Sequence, residues 1–222
     1  MIQRIIMIAA AAASLAACAS ANKTIAFDAA AVGPAEGRAL VPVTQQPPGF
    51  MPMRASRAGF AMAGAFVMIA EGKTFAQENG IVNPATAIED RLTAGMRERY
   101  GYRAGERLDM TGAVDGAPYP TAPGALYVDV KTTNWGFSYL PTNWARYRVN
   151  YMSVFQLVDG ATNTVVGQYV CNKTSHPDGA TAPSLEALLA NGSALMNSTF
   201  AELANACAGE FNAAVLQQAP AA

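Results

Sequence analysis

Between residues 125 and 171 the chain turns to alternating, β-branched and aromatic residues, and this stretch limits the fold more than any other. Over 125–133, Leu126, Val128 and Val130 alternate with Tyr127, Asp129 and Lys131. A period of two marks a strand with one face inward. In 146–158, Tyr147, Val149, Tyr151, Phe155 and Leu157 share one parity, and 165–171 is a third run of the same kind. The connections are 141–145, opening on a proline, and 160–164, following Asp159-Gly160. The three runs are predicted to form an antiparallel meander. Such a meander has an apolar face to bury, and the rest of the chain must supply helices to cover it.

The helices are legible. Ile88, Leu92, Met96 and Tyr100 recur at four-residue steps within 83–100. Asn83 offers a capping oxygen, Pro84 suits the first turn, Arg97 and Arg99 complement the dipole, and Gly101 stops the helix. Glu89 and Asp90, adjacent on it, read as a solvated face. The region 184–217 carries the stripe Leu185, Leu188, Leu189, Met196, Phe200, Leu203, Cys207 and Phe211, with Asn191-Gly192 expected to kink or split it. In 55–71, small Ala55, Gly59 and Ala63 recur among Phe60, Phe66, Val67 and Ile69. That helix fits tight packing on a sheet, or else a membrane-contacting or oligomerising face. Its apolar run is too short to span a bilayer. Residues 40–43 read as a strand that Pro42 places at an edge; 108 and its neighbours 107–111 read as another short strand, and 22–27 as a first strand or part of a tether. The fold class expected is α+β: two layers, a mainly antiparallel or mixed sheet, helices covering one face.

The start of the chain obeys a different logic. Arg4 is the only charge before Lys23, a short apolar run follows it, and Ser14-Leu15-Ala16-Ala17 leads to Cys18. A basic start, an apolar stretch and small residues before a cut site make a secretory signal, which is removed and forms no part of the fold. Leu15-Ala16-Ala17-Cys18 resembles the lipobox of bacterial lipoproteins. The resemblance covers these four positions and the leader, not the domain behind them. It implies cleavage before Cys18, a diacylglycerol thioether on its sulfur and often an amide-linked acyl chain. One chain binds a membrane marginally; two or three anchor it, at about 0.8 kcal/mol per buried CH₂. Ala19, where an Asp would retain the protein at the inner membrane, implies a periplasm-facing position on the outer membrane. The organisation expected is a signal peptide at 1–17, a lipidated cysteine and tether at 18–37, and one α+β domain at 38–222.

With Cys18 set aside, Cys171 and Cys207 remain. Beyond the inner membrane the surroundings are oxidising, so an even pair reads first as a disulfide stapling the last helix to the sheet, with two buried thiols as the alternative. No C-x-x-C suggests redox chemistry. A net charge of −1, with no run of Lys or Arg, argues against nucleic acid and against an anionic-lipid patch. Charged residues make up 14% of the chain, well below the roughly 25% usual for soluble domains. Such a surface fits a chain that sits against a partner, and equally an alanine-rich one.

A search for chemistry returns little. His176 is the only histidine, too few ligands surround it in sequence for zinc, and Ser175, His176 and Asp178 are too close together to form a triad easily. No nucleotide-binding glycine pattern occurs, so no cofactor and no metal are expected. One constellation stands out. Trp135, Phe137, Tyr139, Trp144 and Tyr147 crowd around a turn between two strands, and Arg146 and Arg148 lie beside them. If that face is open, it is a binding surface; if a helix covers it, it is core. The function expected is a lipid-anchored, non-catalytic accessory or binding component of an envelope transport or assembly system. Its partners would be the membrane, through the acyl chains, and an envelope protein; a homo-oligomer is left open. The alternatives are an envelope hydrolase and a lipid-contacting structural lipoprotein.

Overall fold

The computed structural model describes residues 23–56 and 64–217. The leader, the lipobox with Cys18, and Gly59, Phe60 and Ala63 lie outside the described residues. In chain order the elements are α1 (Ala29–Val32), β1 (Ala39–Thr44), β2 (Met51–Met53), α2 (Gly64–Glu78), α3 (Ala85–Tyr100), β3 (Arg103–Ala104), β4 (Leu108–Asp109), β5 (Ala125–Leu140), β6 (Asn143–Asp159), β7 (Thr164–Thr174) and α4 (Leu185–Ala214).

The meander forms as its alternation requires: β5–β6 and β6–β7 are antiparallel. β1 and β2 both join β5 in parallel, and β3 and β4 join β1 in parallel, so the seven-stranded sheet is mixed. The helices lie on one face, and the fold is α+β. Leu126, Val128, Phe155 and Leu157 meet Ile88, Leu92, Met96, Phe200 and Phe211 in one core. The other face carries a smaller cluster, Val43, Ala125, Tyr127 and Val158, covered by Met110, Tyr119 and Ala122 from the loop before β5.

β5 keeps its apolar residues on the helical side through a register shift between Thr132 and Asn134. Before it, even-numbered Leu126, Val128 and Val130 face the core; after it, odd-numbered Trp135 and Phe137 do. One extra residue in a bulged strand reverses side-chain parity, so Thr133 turns two opposed patterns into one inward face.

Three sequence expectations need correction. β1 is not an outer edge, because β3 pairs with Ala39 and Leu40, and β4 with Val43 and Thr44. Pro42 is tolerated because it falls between these two short pairings, where no ladder bond requires its missing N–H. Nor does the chain from Lys23 behave as a tether. Ile25 bridges to Gln168 on β7, the Phe27 N–H donates to Val215 O at 2.9 Å, and Phe27 and Val32 are buried. Glu89, read as solvated, is buried on α3, while Asp90 is exposed.

Helix ends follow their local chemistry. Asn83 Oδ1 accepts the Ala85 N–H at 3.0 Å, and Gly101, at φ 78°, closes α3 with its N–H on Arg97 O. A left-handed residue there suits glycine, which has no Cβ to clash. α4 is interrupted: Asn191, Gly192 and Ser193 all have positive φ, so the helix stops and restarts where Asn-Gly predicted. Cys171 and Cys207 form a disulfide joining β7 to α4, with Cα atoms 5.6 Å apart. α2 continues past the predicted end at residue 71 to Glu78. Its Gly72 lies against the backbone just before β2, where a Cβ would stand 1.7 Å from Phe50 O.

Candidate functional site

The aromatic constellation divides in two. Trp135, Phe137 and Tyr147 are buried. Phe50 stands edge-on to Trp135, with ring centroids 5.0 Å apart, Phe200 lies 5.7 Å from Trp135, and Phe137 meets Tyr147 at 5.6 Å. Trp135 Nε1 donates to Pro48 O at 2.8 Å, which satisfies its one polar atom. These three are core, because the helical layer covers the face they share. Their expected place in a binding surface is corrected accordingly.

The other part stays at the surface. Trp144 is 59% exposed at the tip of the β5–β6 hairpin, and half-buried Tyr139 lies against it with ring centroids 5.9 Å apart. Trp144 Nε1 donates to Pro141 O at 3.2 Å, which ties the indole to its own turn. Arg146, exposed, donates from Nη1 to Ala182 O at 3.2 Å, bringing the loop before α4 beside the tip. A two-residue turn between long strands therefore presents Tyr139 and Trp144 in contact, with Arg146 two residues further along β6. Tryptophan, tyrosine and arginine are the residue types that carry most energy in protein interfaces.

Sequence reasoning missed a second feature, a polar seam where the sheet is interrupted. β1 runs beside β5 as far as Val43 opposite Asp129, and β2 joins only at Gly136. Between them β5 keeps β6 on one side but lacks a neighbouring strand on the other, and its backbone there needs other partners. Glu89 Oε1 accepts the Val130 N–H at 3.1 Å. Arg107 pairs with Glu89 and with Asp90, clamping α3 to the segment that carries β4. Burial pushes the Glu89 carboxyl up to about 8, although Arg107 and the Val130 N–H pull it down. Thr132 Oγ1 donates to Asn83 Oδ1 at 3.0 Å.

On the opposite face Asp129 Oδ2 accepts the Tyr119 hydroxyl at 2.6 Å and Gln45 Nε2 at 3.0 Å. Burial raises the Asp129 carboxyl, and burial beside that carboxylate raises the Tyr119 hydroxyl. Small cavities lie along the seam, one of about 180 Å³ beside Glu89 and one of about 250 Å³ beside Asp129, and Gln45 borders both. Chemically the seam answers donors that the broken ladder leaves over. Nothing in spacing announced it: Glu89 follows Ile88 in a helix whose polar residues looked solvated, and Asp129 alternated with valines as a solvent-facing residue would.

The histidine loop does not assemble a triad. His176 Nδ1 lies 2.9 Å from Thr181 Oγ1, Ser175 Oγ accepts the Val149 N–H at 2.8 Å, and Asp178 accepts the Ala180 N–H at 3.2 Å. Each side chain is committed to a different partner. Among the described residues no group of His, Cys, Asp and Glu could hold a metal ion, and no helix is long and apolar enough to cross a membrane.

No protein-family model and no curated protein matches this chain. Among solved structures, it is similar to a crystal structure described as a neuraminyllactose-binding hemagglutinin homolog from Helicobacter pylori, at 11% identity and over 80% of this chain and 84% of the other. The TM-score is 0.34.

Proposed function

We propose that this chain is a lipoprotein of the cell envelope, acylated at Cys18, that acts without catalysis as an accessory or binding component of a transport or assembly system. Its station is the periplasmic side of the outer membrane. The observation that carries this reading is the bond between Cys171 and Cys207. Such a bond persists in an oxidising compartment, the same destination the leader and Leu15-Ala16-Ala17-Cys18 specify. The partner is an envelope protein, and the surface offered to it is the hairpin tip with Tyr139, Trp144 and Arg146. That tip unites exposed aromatic area with a cationic hydrogen-bond donor on a rigid two-stranded support.

Two experiments test this. Labelling cells with radioactive palmitate should mark the protein, and Cys18→Ser should abolish the label; an unlabelled native protein overturns the anchor. In-vivo crosslinking of the tagged native protein, followed by mass spectrometry, should return one envelope complex that Trp144→Ala depletes several-fold. Crosslinks only between copies of the chain would overturn the accessory role.

A further inference from the structure

The packed domain begins almost at the anchor. Gln168 Nε2 donates to Lys23 O at 2.9 Å, and Ile25 and Gln168 exchange backbone N–H···O bonds, both at 2.9 Å. Phe27 then tucks under Tyr100, ring centroids 5.7 Å apart. From Cys18 to Lys23 there are only five Cα steps, which span at most about 17 Å when fully extended. A compact domain of this size has a radius of gyration of about 16 Å. The link is thus about as long as the domain's own radius of gyration, and it keeps the domain close to the headgroups.

The point of attachment also selects an end. β1 and β5 start side by side, β6 ends opposite the start of β5, and β7 starts opposite the end of β6. α3 finishes at this same end, where the Tyr100 hydroxyl donates to Leu216 O at 3.4 Å just beyond α4. An apolar groove of about 290 Å³ lies here, lined by Ala29, Pro34, Ala35, Tyr100 and Tyr102. Tyrosines beside small apolar residues suit the boundary between headgroups and acyl chains. The opposite end is the hairpin tip. Gln168 pairs with Gln156, and from there β6 runs back to Asn143, roughly 40 Å at the usual rise per residue.

We infer that the end built from residues 23–35, Tyr100–Tyr102 and 215–217 is seated on the lipid surface that holds Cys18, with the groove against bilayer lipid, and that the Trp144 tip stands outermost. The inference rests on acylation at Cys18. It deepens the proposed function, because it makes the protein a short post: one end occupied by lipid, the other presented to a partner tens of ångströms away.

The test uses the full-length protein in envelopes whose phospholipid carries a radioactive label. A photo-crosslinking residue replaces exposed Ala30 in one variant and exposed Trp144 in another, and palmitate labelling is read on the same samples. The expected result is a phospholipid adduct at position 30 at least tenfold above that at position 144. Equal yields, or the reverse, with palmitate still attached would overturn the seating and leave the anchor standing. Loss of palmitate from both would remove the anchor and the seating together. A flexible insertion of twenty Gly and Ser residues between Asn22 and Lys23 leaves the packed domain untouched. It should lower the adduct at position 30 to the level at 144, and an unchanged yield would overturn the role given to the short link.

Discussion

Glu89 Oε1 accepts the backbone N–H of Val130 at 3.1 Å, at the point where β5 has lost its parallel neighbour. A helix side chain thus completes a sheet. The alternative is an unpaired buried N–H, which costs about 1–3 kcal/mol.

This arrangement makes stability depend on pH in a direction opposite to the common carboxylate case. The folded Glu89 carboxyl sits at about 8, against 4.5 for a free one, with burial as the first cause. Between those values the folded state holds a proton that the unfolded state has released. The stabilisation is complete below about 4.5 and is lost as pH rises through about 8. Asp129, also raised by burial, acts in the same direction. Glu89→Gln keeps an acceptor for Val130 and removes the titration. Urea unfolding from pH 4 to 9 should show the native-minus-variant difference falling by on the order of 1–4 kcal/mol. A flat difference would mean that Glu89 titrates alike in the folded and unfolded states.

The disulfide closes a loop with a sequence separation of 36 residues and fastens the last helix to the last strand. In the chain-entropy model its removal costs about 4 kcal/mol, often less in practice. Cys171→Ala/Cys207→Ala should lower the urea midpoint by a corresponding amount. Dithiothreitol should lower that of the native protein similarly and leave the double variant unchanged. An unaltered native midpoint under reductant would show that the bond contributes nothing.

Gly72 supplies a test with an unusual sign. Within an exposed helix, glycine to alanine is worth about 1 kcal/mol of added stability. Here the new methyl would stand 1.7 Å from Phe50 O and 2.8 Å from Phe50 C. Backbone cannot swing aside as a side chain does, so overpacking should outweigh propensity. Gly72→Ala is expected to destabilise by about 1–3 kcal/mol, read as a lowered thermal midpoint. A raised midpoint would mean that α2 is free to move off β2.

Sequence legibility followed the length scale of each pattern. The meander, the stripe of α3 and the break at Asn191-Gly192 rest on local periodicity and backbone preference, and all appear as expected. The small-residue spacing of 55–71 pointed to close packing, yet the close approach in the described residues is at Gly72, one residue past that segment. What stayed hidden depends on partners distant in sequence. The shift at Thr133 shows only when the parity of Val130 is compared with that of Trp135 and both are required to face one layer. Glu89 is buried where Val130, 41 residues away, lacks a strand partner on its β1 side. Residues 23–32 looked like linker because alanines carry no pattern, although Phe27 is anchored to a residue almost at the other end of the chain.

The two tryptophans of the chain divide between the core and the surface. Trp135 is 6% exposed and Trp144 is 59% exposed. Trp135→Ala opens a large cavity beside Phe50 and Phe200 and leaves Pro48 O without its donor, so a loss of about 3–5 kcal/mol is expected. Trp144→Ala removes a ring that touches Tyr139 and little else in the core, and stability should stay within about 0.5 kcal/mol. Any loss of partner capture in Trp135→Ala would therefore mix unfolding with a missing contact, whereas Trp144→Ala isolates the contact. Thermal melts and crosslinking yields on the same preparations should show Trp144→Ala with a native midpoint and a several-fold lower yield. A native midpoint with full yield would remove Trp144 from the interface. A depressed midpoint would show that the tip supports the fold.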